Sequence, residues 1–298
     1  MTDPLPSHDP PRLSLRRELW NTLLVARPGL WATQLWFYLL PLGGRRVLDE
    51  WTFWLGAVYV MFPLAYLLYG WNDLADHQTD RLNPRKGNLL FGARLPRREL
   101  RKLPLRIAAV QAPFWALMLL AVGPKFLLWV AVCLAVNAAY NTLGLKGLPV
   151  LDVLNQAGYL LVFVLSSWLN DAPQLGWPAL VFGALFAMHA HLLNEITDIE
   201  PDRLAGRRTT AVAIGVRRTK LVVAALLAAE AAIMTAWFDS RLVAGFLAAA
   251  AAGFFADFLF RGERVLSDRA LKWVLIAWNV VAVASMHWVW REALFVSG

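Results

Sequence analysis

Apolar runs long enough to cross a bilayer recur along this 298-residue chain, and no other feature limits its fold so tightly. A helix needs on the order of 20 such residues to traverse hydrocarbon, where its backbone polar groups must be bonded internally. The sequence reads as nine such runs, near 28–43, 52–71, 104–122, 126–141, 150–169, 177–194, 217–237, 242–260 and 271–290. A 58% hydrophobic share, a mean hydropathy of +0.48 and 17% charged residues exclude an ordinary soluble domain. The expected fold is an all-α integral membrane protein. Residues 1–25 form a cytoplasmic N-terminal arm, and 26–298 form one nine-helix transmembrane domain.

The positions of Lys and Arg test this map independently. With nine spans, all but five of the 29 Lys and Arg residues fall on one side; Arg45, Arg46, Lys125, Arg241 and Arg291 are the exceptions. Such asymmetry marks that side as cytoplasmic, with the N-terminus inside and the C-terminus outside, as in a bacterial inner membrane. The net charge of +8 then reflects topology and anionic lipid head groups, and needs no nucleic acid. Residues 1–20 are polar and Pro-rich, with no apolar core of a cleavable signal. The lone Cys133 lies within the fourth run, so neither a disulfide framework nor a thiolate metal site is expected. Many of the 15 Trp residues lie near run ends, as an aromatic belt requires.

Where the second run ends, the chain reads "GWNDLADHQTDRLNPRKGN". Asn72, Asp76 and Asp80 are spaced i, i+4, i+8, with Asp73 three before Asp76, so a helix would carry all four on one face. Carboxylates crowded at the edge of hydrocarbon repel one another and call for a cation. The segment "NEITDIEPDRLAGRRTT" repeats the pattern 122 positions later. Asn194, Asp198, Asp202 and Arg203 match Asn72, Asp76, Asp80 and Arg81, Glu195 matches Asp73, and the pair Arg207 and Arg208 matches Arg85 and Lys86. A solvated charge run accounts for one such cluster; two with matched Asn, Asp and Arg point to a duplicated bundle whose motifs face each other. Oxygen ligands without His or Cys suit Mg²⁺, which commonly shares phosphate oxygens with one or two carboxylates. Adjoining basic side chains would bind the remaining phosphate oxygens.

With these motifs the chain resembles the UbiA-type intramembrane prenyltransferases. The resemblance rests on "NDLADHQTDRLNP" and "DIEPDRLAGRRTTAVAIG" and runs from "ARPGLW" to about residue 215. It implies nine helices around a central lipid-open cavity, Mg²⁺ dependence, and transfer of an isoprenoid chain from a polyprenyl diphosphate. It also implies Asn72, Asp73, Asp76, Asp80, Asn194, Asp198 and Asp202 as the metal set. Arg27, Arg81, Lys86, Tyr140, Lys146, Arg203, Arg207 and Arg208 are the expected diphosphate contacts. The family spacing Y-x-x-x-K is broken here: Gly144 stands four after Tyr140, and Lys146 arrives two positions late. Asp76, Asp198 and Lys146 are expected to be catalytic.

Ionisation of an allylic diphosphate leaves a cation that water would destroy, so a cavity walled by helices suits it. When an acceptor attacks that cation, a proton must leave. His191, three residues before Asn194 on the motif's own face, is the catalytic candidate, although a histidine bonded inside the bundle would look the same. His189 points elsewhere. Asp152, Asn155 and Gln156 are candidates for acceptor contacts, while Glu230 and Asp257 could simply pair with polar neighbours. A lipophilic or aromatic acceptor is expected, and "NPRKG" resembles branches with lipid or carotenoid acceptors. Within the same fold a terpene cyclase would need no acceptor. A cation-coupled transporter is disfavoured, because transport sites lie nearer the membrane midplane.

Overall fold

The computed structural model describes residues 15–296, and most of the expected N-terminal arm lies outside them. The last part of that arm is helical: α1 (Leu15–Val25) buries Leu24 and Val25, and its Glu18 pairs with Arg106 at 3.1 Å. The chain continues through α2 (Trp31–Leu39), α3 (Trp51–Met61), α4 (Pro63–Ala75), the short α5 (His77–Leu82), α6 (Arg97–Val122) and α7 (Lys125–Asn141). Then follow α8 (Leu151–Leu154), α9 (Leu161–Leu169), α10 (Trp177–Leu204), α11 (Thr210–Trp237), α12 (Arg241–Arg261) and α13 (Asp268–Met286). Among the described residues there is no named strand; a single bridge joins Asn88 and Gly92.

Among the described residues, seven helical segments are long and apolar enough to cross a membrane: Trp51–Ala75, Arg97–Val122, Lys125–Gly147, Trp177–Leu204, Thr210–Trp237, Arg241–Arg261 and Asp268–Arg291. The apolar runs read at 28–43 and 150–169 are interrupted. In the first, 3₁₀ turns at Pro28–Leu30 and Leu40–Leu42 flank α2, and each contains a proline, which has no N–H to continue a helical ladder. In the second, a 3₁₀ segment at Asn155–Leu160 separates α8 from α9. Large side chains such as Leu105, Leu120 and Phe260 stand exposed on α6 and α12, at 77%, 81% and 85%. Apolar exposure on that scale is stable against lipid. The chain is an integral membrane protein.

Polar groups inside the bundle find partners, as a medium without water requires. At the break between α3 and α4, Gln111 of α6 donates to the Pro63 carbonyl at 2.6 Å. The Tyr59 hydroxyl donates to Gln111 at 3.1 Å and accepts from the Trp115 indole at 2.9 Å. His189 and Glu230, both buried, meet at 2.6 Å between α10 and α11. Lys220 pairs with Asp257 at 2.5 Å. Those two acidic residues therefore have the polar neighbours the sequence reading allowed them. The two motifs are brought to the same end of the bundle where α5, which follows α4, packs on α10.

Candidate functional site

The two acidic motifs meet, although their backbones differ. Helix α4 stops at Ala75, Asp76 leaves helical geometry with φ −97° and ψ 7°, and α5 restarts at His77. The second motif rides on the unbroken last turns of α10, with Pro201 inside the helix. Asn72 donates to Asp76 at 2.9 Å, whereas its counterpart Asn194 donates to the Ala190 carbonyl at 3.2 Å. Asn72, Asp76, Asp80, Asn194, Asp198 and Asp202 all line one cavity of about 350 Å³.

Two ion pairs cross between the motifs. Arg85, downstream of the first motif, pairs with Asp198 of the second. Arg207, downstream of the second, pairs with Asp76 of the first and lies 3.4 Å from Asp202. Arg85 and Arg207 are equivalent positions of the repeat, as are Asp76 and Asp198. Each half thus lends its arginine to the other half's central aspartate. That exchange is what a pseudo-twofold arrangement of duplicated motifs produces.

Each aspartate of the two motifs is held by a cation. Asp73, 3% exposed, sits between Arg27 at 3.1 Å and Lys86 at 2.9 Å, and Lys86 also reaches Asp80 at 2.9 Å. Lys146 pairs with Asp76 and lies 3.4 Å from the Asn141 side-chain oxygen. Gly144, at φ +83°, turns the chain after α7, so the lysine displaced in sequence still reaches the first motif. Burial favours the neutral form of Asp76, yet Lys146 and Arg207 outweigh it and hold this carboxyl below its usual range. Burial dominates at Asp80 and lifts it to about 6, against the opposing pull of Lys86.

His191 and Tyr140 line the cavity as well. The Tyr140 hydroxyl lies 3.4 Å from His191 Nε2, and that nitrogen is 2.9 Å from Glu195. His191 thus faces the cavity and is bonded within the bundle, while His189 is turned away to Glu230. Asn155 and Gln156 reach the cavity. Asp152 lies behind it, accepting from the Thr210 backbone N–H at 2.6 Å and from its hydroxyl at 2.5 Å.

Three expected diphosphate contacts are not brought to the cavity. Arg81, Arg203 and Arg208 are exposed and absent from its lining, and Arg203 pairs at 3.1 Å with Glu200 one turn back on the outer face of α10. For Arg203 helical phase is the reason: Asp202 faces inward, so its neighbour faces out. Sequence reasoning left Arg85 and Asn83 unassigned. The Asn83 amide donates to Asp198 at 2.8 Å. Arg85 carried one signal, its register with Arg207 in the repeat.

The donor set suits a hard divalent cation, because the motif side chains offer only carboxylate and amide oxygens. One of these, Asp73 Oδ2, is buried without a partner. Among the described residues no three acidic, His or Cys side chains form a ready cage. The positions of countercharge are filled by Arg27, Arg85, Lys86, Lys146 and Arg207.

A family model, the UbiA prenyltransferase family, matches residues 30–280. A lycopene elongase/hydratase of Haloferax volcanii is 32% identical over 240 residues, covering 78% of this chain and 75% of the relative. Another lycopene elongase/hydratase, from Corynebacterium glutamicum, is 28% identical over 204 residues, covering 65% of this chain and 69% of the relative. Among solved structures, a UbiA homolog from Archaeoglobus fulgidus bound to DMAPP and Mg²⁺ superposes with a TM-score of 0.70 at 22% identity, covering 90% of this chain and 98% of that one. The same homolog bound to GPP and Mg²⁺ gives a TM-score of 0.66 at 20% identity, covering 90% and 99%. By its sequence and its fold, this chain belongs to the UbiA prenyltransferase family.

Proposed function

We propose that this prenyltransferase moves the isoprenoid chain of an allylic diphosphate onto a neutral, lipophilic polyene, releasing pyrophosphate. The reciprocal pairing of Arg85 with Asp198 and of Arg207 with Asp76 carries the reading, because it makes the two motifs one site. Asn72, Asp73, Asp76, Asp80, Asn194, Asp198 and Asp202 would hold Mg²⁺. Bound there, Mg²⁺ neutralises charge gathering on the departing pyrophosphate. Arg27, Lys86, Lys146 and Arg207 line the same cavity and would grip phosphate oxygens, Arg in bidentate fashion. Arg85, outside the cavity lining, holds Asp198 in place.

The acceptor follows from the rest of the lining. Beyond the polar end the cavity wall includes Leu30, Phe37, Leu64, Trp129, Leu161 and Phe186. Every cation in the lining, namely Arg27, Lys86, Lys146 and Arg207, is already committed at the motif end. No partner remains for the carboxylate of an aromatic acid, and leaving such a charge unpaired in this wall is costly. A hydrocarbon polyene needs none, which agrees with the carotenoid names of the relatives. In this reading the interrupted runs at 28–43 and 150–169 also cross the membrane. That gives nine spans around the cavity, with the motif end cytoplasmic.

The test is to incubate purified protein with prenyl diphosphates of several lengths, with and without a linear polyene. Pyrophosphate release that requires both Mg²⁺ and the polyene is expected. Release without any acceptor, with a cyclic product, would replace this reading by the cyclase.

A further inference from the structure

The two cations that close on Asp76 come from different loops, and one buried threonine ties those loops together. Lys146 stands in the 3₁₀ turn Leu145–Gly147 after α7, and Arg207 in the short connection between α10 and α11. Both reach the same carboxylate oxygen, Asp76 Oδ1. Thr210, the first residue of α11, gives its backbone N–H and its hydroxyl to the two oxygens of Asp152, which is fully buried on α8. The same hydroxyl accepts the Val150 backbone N–H at 2.7 Å, on the stretch that follows Lys146. A threonine hydroxyl both donates and accepts, so this one side chain serves both bonds. Neither Asp152 nor Thr210 lines the cavity.

The bonds around this junction fix both loops. A helix leaves its first N–H groups without internal partners, and here three of them go to side chains. Thr210 gives its own to Asp152, Ala211 to Glu195 at 2.9 Å, and Val212 to Thr209 Oγ1 at 3.4 Å. Residues 205–209 alone separate α10 from that fixed start, with Arg207 at their centre. On the other loop Val150 has φ +72° and ψ −43°, a left-handed geometry that is an outlier for a β-branched residue. Such geometry persists only where the surroundings impose it. The Val150 N–H is the group that Thr210 takes. Lys146 also needs a tether: it arrives two positions after the family spacing, and a longer loop has more conformations to be held against.

We propose that Asp152 and Thr210 are positioning residues of the diphosphate clasp. Their junction fixes the Lys146 loop against the Arg207 loop, and so sets the spacing at which the two cations meet phosphate oxygens. The proposal rests on the assignment of Lys146 and Arg207 to the diphosphate above.

The experiment is calorimetric titration of the full-length protein in detergent with an unreactive prenyl diphosphate analogue and Mg²⁺, which needs no acceptor. Thr210→Val keeps the side-chain shape and loses the hydroxyl, while Asp152→Asn keeps the shape and loses the carboxylate that takes two donors. Each should weaken binding about tenfold or more, as displacement of a binding group does. Thr210→Ser, which keeps the hydroxyl, should bind close to wild type. In Lys146→Ala, and separately in Arg207→Ala, the loss caused by Thr210→Val should shrink, because a residue acting through those cations has less left to place. Wild-type affinity in both Thr210→Val and Asp152→Asn overturns the proposal. So does an undiminished factor in both cation-deleted backgrounds, or a loss in Thr210→Ser equal to that in Thr210→Val, since each marks a purely structural bond. Should only one of Thr210→Val and Asp152→Asn fold, that one carries the comparison; failure of both to fold makes the pair a stability element and overturns the proposal. If neither Lys146→Ala nor Arg207→Ala weakens the analogue, the diphosphate assignment itself fails, and this proposal with it.

Discussion

Asp76 is the residue on which the site turns. It ends α4, takes the Asn72 amide, and receives both Lys146 and Arg207. Replacing it, or its counterpart Asp198, by Ala removes an expected metal ligand and leaves a cation without its partner. Turnover should fall by at least about 100-fold, the size of effect seen when one group that stabilises developing charge is lost. Membrane insertion and thermal unfolding, followed in detergent, should stay close to wild type. The two arginines of the second motif give a sharper contrast. Arg207→Ala should raise KM for the diphosphate and lower turnover, because this side chain lines the cavity. Arg203→Ala, on the exposed face of α10, should leave both within about twofold, as surface changes generally do. Sequence spacing could not separate these two, because a repeat aligns residues without giving their helical phase. The motif positions were legible for the opposite reason: side chains at i, i+4, i+8 share a face of a continuous helix, as Asn194, Asp198 and Asp202 do on α10.

At the scale of elements, the apolar runs of the sequence correspond to helices, but hydropathy says nothing about continuity. The runs at 28–43 and 150–169 have the composition of long helices and the geometry of short ones joined by 3₁₀ turns. Prolines at 28 and 41 announced the first interruption; nothing in "NQAGYL" announced the second. How α2, α3 and α9 are held together was also invisible. Gly56 of α3 lies directly under the Tyr38 ring, which is fully buried and donates to the Phe53 carbonyl at 3.2 Å. A Cβ at position 56 would meet the tyrosine hydroxyl and Leu169. Gly56→Ala should therefore destabilise the bundle by about 1–3 kcal/mol, read as a lowered midpoint of thermal unfolding. The His189–Glu230 contact locks α10 to α11 in the same sense. His189→Ala strands a buried carboxyl and should cost roughly 3–5 kcal/mol, whereas His189→Leu combined with Glu230→Leu should recover most of that loss.

For the whole molecule, duplication organises function more than it organises shape. The repeat of 122 residues brings two equivalent motifs to one end, yet the halves differ: α4 breaks at Asp76 while α10 runs straight through Asp198. What the halves share is the exchange of arginines across the interface between them. Asp198 finds its cationic partner only in the other half, and Asp76 draws one of its two from there, so the complete clasp exists only in the assembled bundle. Removing divalent cations with a chelator should abolish turnover, and added Mg²⁺ should restore it. The most direct measurement is calorimetric binding of an unreactive prenyl diphosphate analogue to wild type, Asp76→Asn, Asp198→Asn and the double variant, with and without Mg²⁺. A single shared clasp predicts one analogue per chain, binding that needs Mg²⁺, and losses in the two single variants that fail to add in the double. Two analogues per chain, additive losses, or undiminished binding without Mg²⁺ would contradict it.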